Sequence, residues 1–345
     1  MPLFGSKHPP VPLAIVGCAH IHTPNFVKRL QARQDVRVVA VWDHDTTRAR
    51  RTAEALGAQT YGLDAIWRDA TIRAAIICSE TDRHPELVAA AAGAGKDLFV
   101  EKPLGIAGRD AWAMAEAVER AGVRFQTGYF MRGQPINLFL REQIRRGSFG
   151  TITRVRLTNC HNGALRGLFD TDWRWMTDPA VAGFGGFGDL GSHALDLLLW
   201  LLGDGATVTE VTARTGNATQ RYGDCDEYGE GMLRFADGPI ATIAAGWVSP
   251  ASPITHEISG TGGSAVVVNG ELYLQSERVA GADGKRPWRD LPEMQPHAFE
   301  LFLDALVGQD VPLIGVREAA RSSAVMEALY AAARHGGWER MVQNG

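Results

Sequence analysis

The sequence predicts two domains: an α/β domain on a parallel sheet over residues 1–130, and an α+β domain with a large, mainly antiparallel open sheet over 131–345. Three observations lead there. At 345 residues the chain exceeds one typical domain and is long enough for two cores. Through the first part, short apolar runs alternate with helix-length segments, the rhythm of βαβ units. Past Gly150, apolar and polar residues alternate along each run, and the runs close on hairpin signals.

Taken in order, residues 12–17, PLAIVG, read as a buried parallel strand ending in glycine. CAHIHTPNFVKRLQAR then passes into a helix, and VRVVAVWDHD gives a second strand closed by Asp43. A helix over Thr46–Leu56 leads through Tyr61 to a third apolar run, AAIICSE, over Ala74–Glu80. HPELVAAAAGAG is helical. DLFVEKP is a strand ending at Glu101, Lys102 and Pro103, and a helix over Arg109–Ala121 precedes the strand VRFQTGY. In the second part TITRVRLTNCH, TVTEVTART, EGMLRFADG, PIATIAAGWVS, THEISGTG, SAVVVNG and ELYLQ are strands, with Asp237-Gly238 and Asn269-Gly270 as turns. An open sheet of this size leaves an apolar face, which predicts a homodimer or homotetramer. HAFELFLDALVG and REAARSSAVMEALYAAARHG close the chain as helices, the last free to pack back on the first domain.

Between the early strands of the second part lies AGFGGFGDLGSHALDLLLWLLG, residues 182–203. From Leu190 on it is almost wholly apolar, as a helix buried on most sides is. Asp189, His193 and Asp196 fall at i, i+4 and i+7, one stripe of one face. Such groups on a greasy helix are either a satisfied buried pair or in use. Gly183, Gly185, Gly186 and Gly188 let the backbone turn tightly or approach a ligand closely.

In a parallel sheet, ligands gather where strands end, here at Gly17, Asp43, Ser79–Asp82 and Glu101–Pro103. The first strand–helix turn is the phosphate-binding place, because helix N-terminal amides face an anion there. The fingerprint G-x-G-x-x-G appears in part, as Gly17-x-Ala19-x-x-His22. Asp43 is placed for a ribose 2′-hydroxyl, and its charge opposes a 2′-phosphate, which favours NAD over NADP.

Composition bounds the rest. A net charge of -4 gives no electrostatic reason to expect nucleic acid or an anionic membrane as partner. Cys18, Cys78, Cys160 and Cys225 are scattered, without CxxC, which suits reduced thiols in a cytoplasm. No run has the length of a signal-peptide core or a membrane span. These readings together predict a cytoplasmic protein.

EKP at a strand end followed by DLGSHALDLLLWLLG resembles the glucose–fructose oxidoreductase, inositol dehydrogenase and rhizopine catabolism family, Gfo/Idh/MocA. GKDLFVEKPL around Lys102, YFMRGQP around Arg132, DWRW around Arg174 and the ending VMEALYAAARHG extend the likeness over nearly the whole chain. The resemblance implies a Rossmann domain that binds NAD(P), and a sheet domain that supplies substrate contacts and the oligomer interface. It implies oxidation of a secondary hydroxyl on a sugar, inositol or related polyol. Lys102 matches the lysine beside the nicotinamide, His193 the general acid/base, and Asp189 the aspartate that touches substrate. The family's glycine loop maps onto Gly17, Ala19, His20, Ile21 and His22, and the sequence departs from it at Ala19 and His22. Ser79, Thr81, His84 and Glu101 fall where the cofactor is contacted.

Hydride removal from an alcohol carbon needs a nearby nicotinamide, a base for the hydroxyl proton and a partner for the developing oxyanion. An imidazole with intrinsic pKa near ~6.5 suits the second task, hence His193. Lys102 suits the third. Asp189 could orient His193 or accept a substrate hydroxyl, and Asp196 reads as structural. Trp173, Arg174 and Trp175 offer flat faces and a guanidinium fork for a sugar, or serve as core and rim. Tyr129, Arg132 and His161 are further substrate-side candidates. His20 and His22 have a metal-like spacing but no accompanying carboxylate or cysteine in sequence, so no metal is expected. Two alternatives share the fold: a glycosidase- or lyase-like enzyme that retains NAD and oxidises transiently, and a ligand-sensing regulator without turnover. The set Lys102, Asp189 and His193 argues against the regulator.

Overall fold

The computed structural model describes residues 9–203 and 205–341. Its contacts divide the chain into two units, one formed by the chain up to Gly128 with Pro296–Ala320, the other by Tyr129–Gln295 with the chain from Arg321 on. The division is discontinuous: residues 296–320, beyond the expected boundary at 130/131, group with the first unit.

In the first unit, the described strands are β1 (Val11–Val16), β2 (Val36–Trp42), β3 (Gln59–Thr60), β4 (Ala74–Ile77), β5 (Asp97–Val100) and β6 (Phe125–Thr127). All pairings are parallel, in the order β3-β2-β1-β4-β5-β6, the doubly wound order of a Rossmann fold. The helices are α1 (Thr23–Ala32), α2 (Thr46–Leu56), α3 (Leu63–Arg68), α4 (His84–Gly93) and α5 (Gly108–Ala121). β1, β4 and β5 bury nearly every side chain, as strands covered on both faces must. The core joins Leu13, Ile15, Val41, Ile76 and Phe99 to Phe299 and Phe302 of the returning segment, and Phe26 stacks on Phe299 at 4.2 Å between ring centroids.

The second unit begins with α6 (Pro135–Arg145), β7 (Ile152–Cys160), the one-turn α7 (Pro179–Ala182) and α8 (Gly186–Leu202). Then come β8 (Val208–Gly216), β9 (Tyr228–Phe235), β10 (Ile240–Gly246), β11 (Ile254–Gly260), β12 (Gly263–Val268), β13 (Glu271–Ser276) and β14 (Asp283–Pro287). α9 (Ala298–Leu306), in the first unit, precedes α10 (Val316–His335) and β15 (Glu339–Arg340). The strands form one sheet, β14-β13-β12-β11-β7-β10-β9-β8-β15, antiparallel except for the pair β7–β10. The Asn269-Gly270 turn has φ of 50° and 79°, the left-handed pair that a two-residue hairpin requires. Leu195 and Leu198 of α8 pack with Leu157, Leu233 and Ile243 of the sheet and with Val325 and Leu329 of α10.

The far face of this sheet is not the continuous apolar surface the sequence suggests. Arg154, Arg156, Glu230 and Arg234 project there among Met232 and Ile240, and Arg156 pairs with Glu230 and Glu257. Among the described residues no helix is long and apolar enough to cross a membrane. All four cysteines are free thiols.

Candidate active site

In the first unit, the turn after β1 rests on Gly17, at φ 81°. A Cβ there would lie 2.5 Å from Ser79 Cα, so the strand ends β1 and β4 can meet only at glycine. Ser79 is buried against it, and Thr81, two residues on, is buried as well. Ala19 is buried and Ile21 half-buried, and His22 opens α1 at the N-cap without a side-chain cap bond.

Asp43 ends β2 as predicted, and its carboxylate is heavily engaged. Its oxygens accept the N–H of Cys18 (2.6 Å) and of Asp45 (2.8 Å), and the Arg48 guanidinium in a fork (2.9 and 2.8 Å). Arg48 also reaches Glu80 at 2.8 Å, so two buried carboxylates share one guanidinium. Arg48 and Glu80 were not legible as a pair. The only sequence signal was D-x-D-T-T-R, in which Asp45 caps α2 and puts Arg48 in its first turn.

The absence of a carboxylate beside His20 and His22 is corrected by the structure. Glu101, fully buried at the end of β5, lies 3.1 Å from His22 Nδ1 and 3.7 Å from His20 Nδ1, and accepts the Lys102 N–H at 2.9 Å. Burial pushes the Glu101 carboxyl upward, but the charges of His20 and His22, the hydrogen bond from His22 and the Lys102 ammonium together hold it well below the usual range. Among the described residues these three are the one set with metal-like donor spacing. Their donor atoms already serve one another, since His20 Nδ1 also accepts the His22 N–H at 3.3 Å. Lys102 is buried and its bond to Pro103 is cis.

His84 lies against the turn at Pro103 and Leu104. It is wholly buried, its Nδ1 faces the carbonyls of Pro103 (3.2 Å) and Leu104 (3.1 Å), and burial lowers its pKa. It braces the turn that carries Lys102.

In the second unit, α8 carries the predicted stripe. His193 is buried, with the rings of Tyr129 and Phe130 edge-on at 5.9 and 5.2 Å between centroids. Asp189, one turn earlier, accepts the indole N–H of Trp247 at 2.9 Å. In sequence Trp247 stands only as part of the strand segment PIATIAAGWVS. Asp196 forms a two-point pair with Arg132 at 2.9 and 2.6 Å, so Arg132 ties the start of this unit to α8. Arg132, a substrate-side candidate, is thereby anchored to α8. Arg174 is exposed, paired with Asp170 and stacked over Tyr222, away from His193's aromatic neighbours in its bonding. Trp173 is half-buried. His161 accepts the Gly163 N–H at 3.0 Å and shapes its own turn.

Three of the glycines before α8 are required by close protein contacts. A Cβ on Gly185 or Gly186 would lie 2.3 or 2.4 Å from the carbonyl oxygen of Asp226 or Glu227, and one on Gly188 2.1 Å from Phe184 Cβ. Close backbone approach therefore dictates them.

Comparison with known proteins agrees with this architecture. Residues 11–129 match the oxidoreductase family with NAD-binding Rossmann fold, and residues 138–266 match the GFO/IDH/MocA C-terminal domain. The chain is 28% identical over 225 residues to levoglucosan dehydrogenase of Pseudarthrobacter phenanthrenivorans, covering 58% of this chain and 57% of that protein. It is 27% identical to scyllo-inositol 2-dehydrogenase (NAD(+)) of Bacillus subtilis, covering 84% of this chain and 82% of that protein. A solved levoglucosan dehydrogenase in complex with NADH and levoglucosan shares the fold, with a TM-score of 0.79 at 20% identity over 96% of this chain and 100% of that one. With a Rossmann unit, an antiparallel-sheet unit and both domains matched, the chain belongs to the GFO/IDH/MocA family of oxidoreductases.

Proposed function

We propose that this protein transfers a hydride between NAD and a secondary hydroxyl, or the matching carbonyl, of a sugar, inositol or related polyol. The observation that carries the reading is His193: a buried imidazole on α8, one turn past Asp189 and walled by Tyr129 and Phe130. Bound NAD supplies the hydride acceptor. His193 takes the hydroxyl proton and returns it in the reverse direction. The Lys102 ammonium offsets charge developing on that oxygen. Asp189, steadied by Trp247, binds a substrate hydroxyl or orients His193. The named relatives act on levoglucosan and scyllo-inositol, both cyclic polyols, which supports the substrate class.

The first unit fits a dinucleotide at the Gly17 turn, where only glycine admits the strand approach, and at the strand-end Asp43. Gly17, Ala19, His20, Ile21 and His22 would face the pyrophosphate. Ser79, Thr81 and Glu101 would line the path to Lys102. At the end of β2 the Asp43 carboxylate stands where a ribose 2′-hydroxyl would be accepted and a 2′-phosphate repelled, with Arg48 and His44 beside it. NAD in preference to NADP follows. A homodimer or homotetramer through the open sheet face would cover exposed Tyr228, Met232 and Ile240 together with the charged Arg154, Arg156, Glu230 and Arg234 beside them.

The test is NADH absorbance on mixing the protein and NAD with levoglucosan, scyllo-inositol, myo-inositol or glucose. Turnover with at least one is expected. No turnover with any, together with polyol binding that His193→Asn and Lys102→Met merely weaken, would mark a sensor instead.

A further inference from the structure

We infer that Asp226 and Tyr330 form a borrowed N-cap that positions the catalytic stripe of α8. The inference rests on the roles proposed for Asp189 and His193. A helix leaves its first N–H groups without intrahelical partners, and a capping side chain normally comes from the N-cap residue itself. The N-cap of α8 is Gly185, which has none. Its place is taken from two remote segments. Asp226 Oδ1 accepts the Gly185 N–H at 3.2 Å, Asp226 Oδ2 accepts the Phe187 N–H at 2.9 Å, and the Asp226 carbonyl accepts the Gly186 N–H at 2.7 Å. Tyr330, on α10, accepts the Gly188 N–H at 2.8 Å and shares that of Gly185 at 3.3 Å, while its hydroxyl donates to Asp226 at 2.9 and 3.1 Å. The amides of residues 185–188 are thereby all held, and the Asp226 charge faces the positive end of the helix.

The same loop fixes Asp189 from the other side. Glu227, next to Asp226, accepts the Trp247 backbone N–H at 2.8 Å, and the Trp247 indole holds Asp189. Residues 226 and 227 thus locate both the start of α8 and the partner of its first functional carboxylate. The glycines at 185 and 186 exist to allow this loop its approach, since a Cβ on either would strike the carbonyl oxygen of Asp226 or Glu227. Asp226 and Tyr330 are positioning residues: they act through α8 and Trp247.

Tyr330→Phe removes one oxygen and keeps the ring packing, and Asp226→Asn keeps the size. The readout is the indole N–H region of the two-dimensional NMR spectrum, where the Trp247 peak is assigned by its loss in Trp247→Phe. Both variants are expected to shift the Trp247 peak while most of the other eight of the nine tryptophans stay in place. With NAD and myo-inositol as probes, kcat should fall at least tenfold while the dissociation constant for NADH stays within twofold. A Trp247 peak unmoved in folded Tyr330→Phe overturns the inference, even if Asp226→Asn fails to fold. So does unchanged kcat in that variant when His193→Asn abolishes turnover. If His193→Asn leaves turnover intact, the proposed chemistry fails on its own, and the NMR arm still decides the anchor.

Discussion

Each unit places a carboxylate beside its functional residues, Glu101 fully buried and Asp226 half-buried, and the two are held in opposite ways. Glu101 sits among His20, His22 and Lys102, groups that carry or can take positive charge, and its pKa falls well below the ordinary 4.5. Asp226 sits among amide N–H groups and a phenol, which are neutral donors. There burial outweighs what those donors return, and its pKa rises above 3.8. Charged partners repay desolvation where dipoles repay only part of it. The first unit uses its buried anion to gather cationic side chains around Lys102. The second uses its own to hold a helix end.

The largest effect separates the chemistry from the cofactor end. His193→Asn should lower turnover by about a hundredfold to ten-thousandfold, the usual worth of a positioned acid/base, with NADH affinity retained. His22→Gly should do the reverse, leaving the fold intact and changing NADH affinity first. Stopped-flow turnover and NADH fluorescence titration on both variants check this. Equal loss of both properties in both variants would erase the division of labour between the units.

Next in size is Glu101→Gln. It strips the negative charge from the cluster of His20, His22 and Lys102 and should destabilise by about 3 kcal/mol at neutral pH, the low end of breaking a buried pair. Because the folded pKa is depressed, Glu101 stabilises fully above its unfolded value of 4.5, and that contribution fades as pH falls through the folded value. Denaturant unfolding at pH 7 and at pH 4 should therefore show the variant's deficit shrinking in acid. A deficit that does not shrink by pH 4 would show that the Glu101 carboxyl is not held below its ordinary range.

Much of this molecule was legible from local pattern. The βαβ order, the helix over residues 46–56, the turn at Asn269-Gly270 and the stripe Asp189–His193 each depend on neighbours in sequence. What stayed hidden was every partner brought in by the fold. Glu101 beside His22, Arg48 bridging Asp43 and Glu80, Trp247 on Asp189, and Asp226 with Tyr330 on α8 all depend on which strand lies beside which. The glycine run before α8 was visible, but its reason lay in the loop of Asp226 and Glu227. Arg132 and His84 are site candidates by type, and their partners Asp196 and the carbonyls of Pro103 and Leu104 come only with the fold.

A smaller effect concerns the ribose end. Asp43→Ser leaves Arg48 with only Glu80 and frees part of its fork for a 2′-phosphate. The ratio of NAD to NADP affinity should fall about tenfold, the equivalent of one modest charge-assisted bond. Fluorescence titration with both reduced cofactors measures it. A ratio unmoved by the substitution would place the discrimination elsewhere than at the end of β2.

The smallest effect carries the sharpest sign. Asp226 is raised because burial disfavours its charged form more than the Phe187 and Gly185 amides and the Tyr330 hydroxyl favour it. A group whose folded pKa exceeds its unfolded value binds its proton more tightly in the fold, so folding stability from it is complete in acid. That stability is lost as pH rises from the unfolded 3.8 through the folded value. Asp226→Asn cannot titrate and escapes this loss. At acid pH the variant should be less stable than the parent by about 1 kcal/mol, the worth of a disturbed helix cap, because its amide turns an N–H toward backbone donors. Toward neutral pH the gap should narrow, the opposite trend to Glu101→Gln. Urea unfolding of the parent and both variants at pH 4, 5.5 and 7 gives the two slopes directly. Slopes of the same sign would show that Asp226, like Glu101, is held by charge, and that the contrast between the two carboxylates is only one of position.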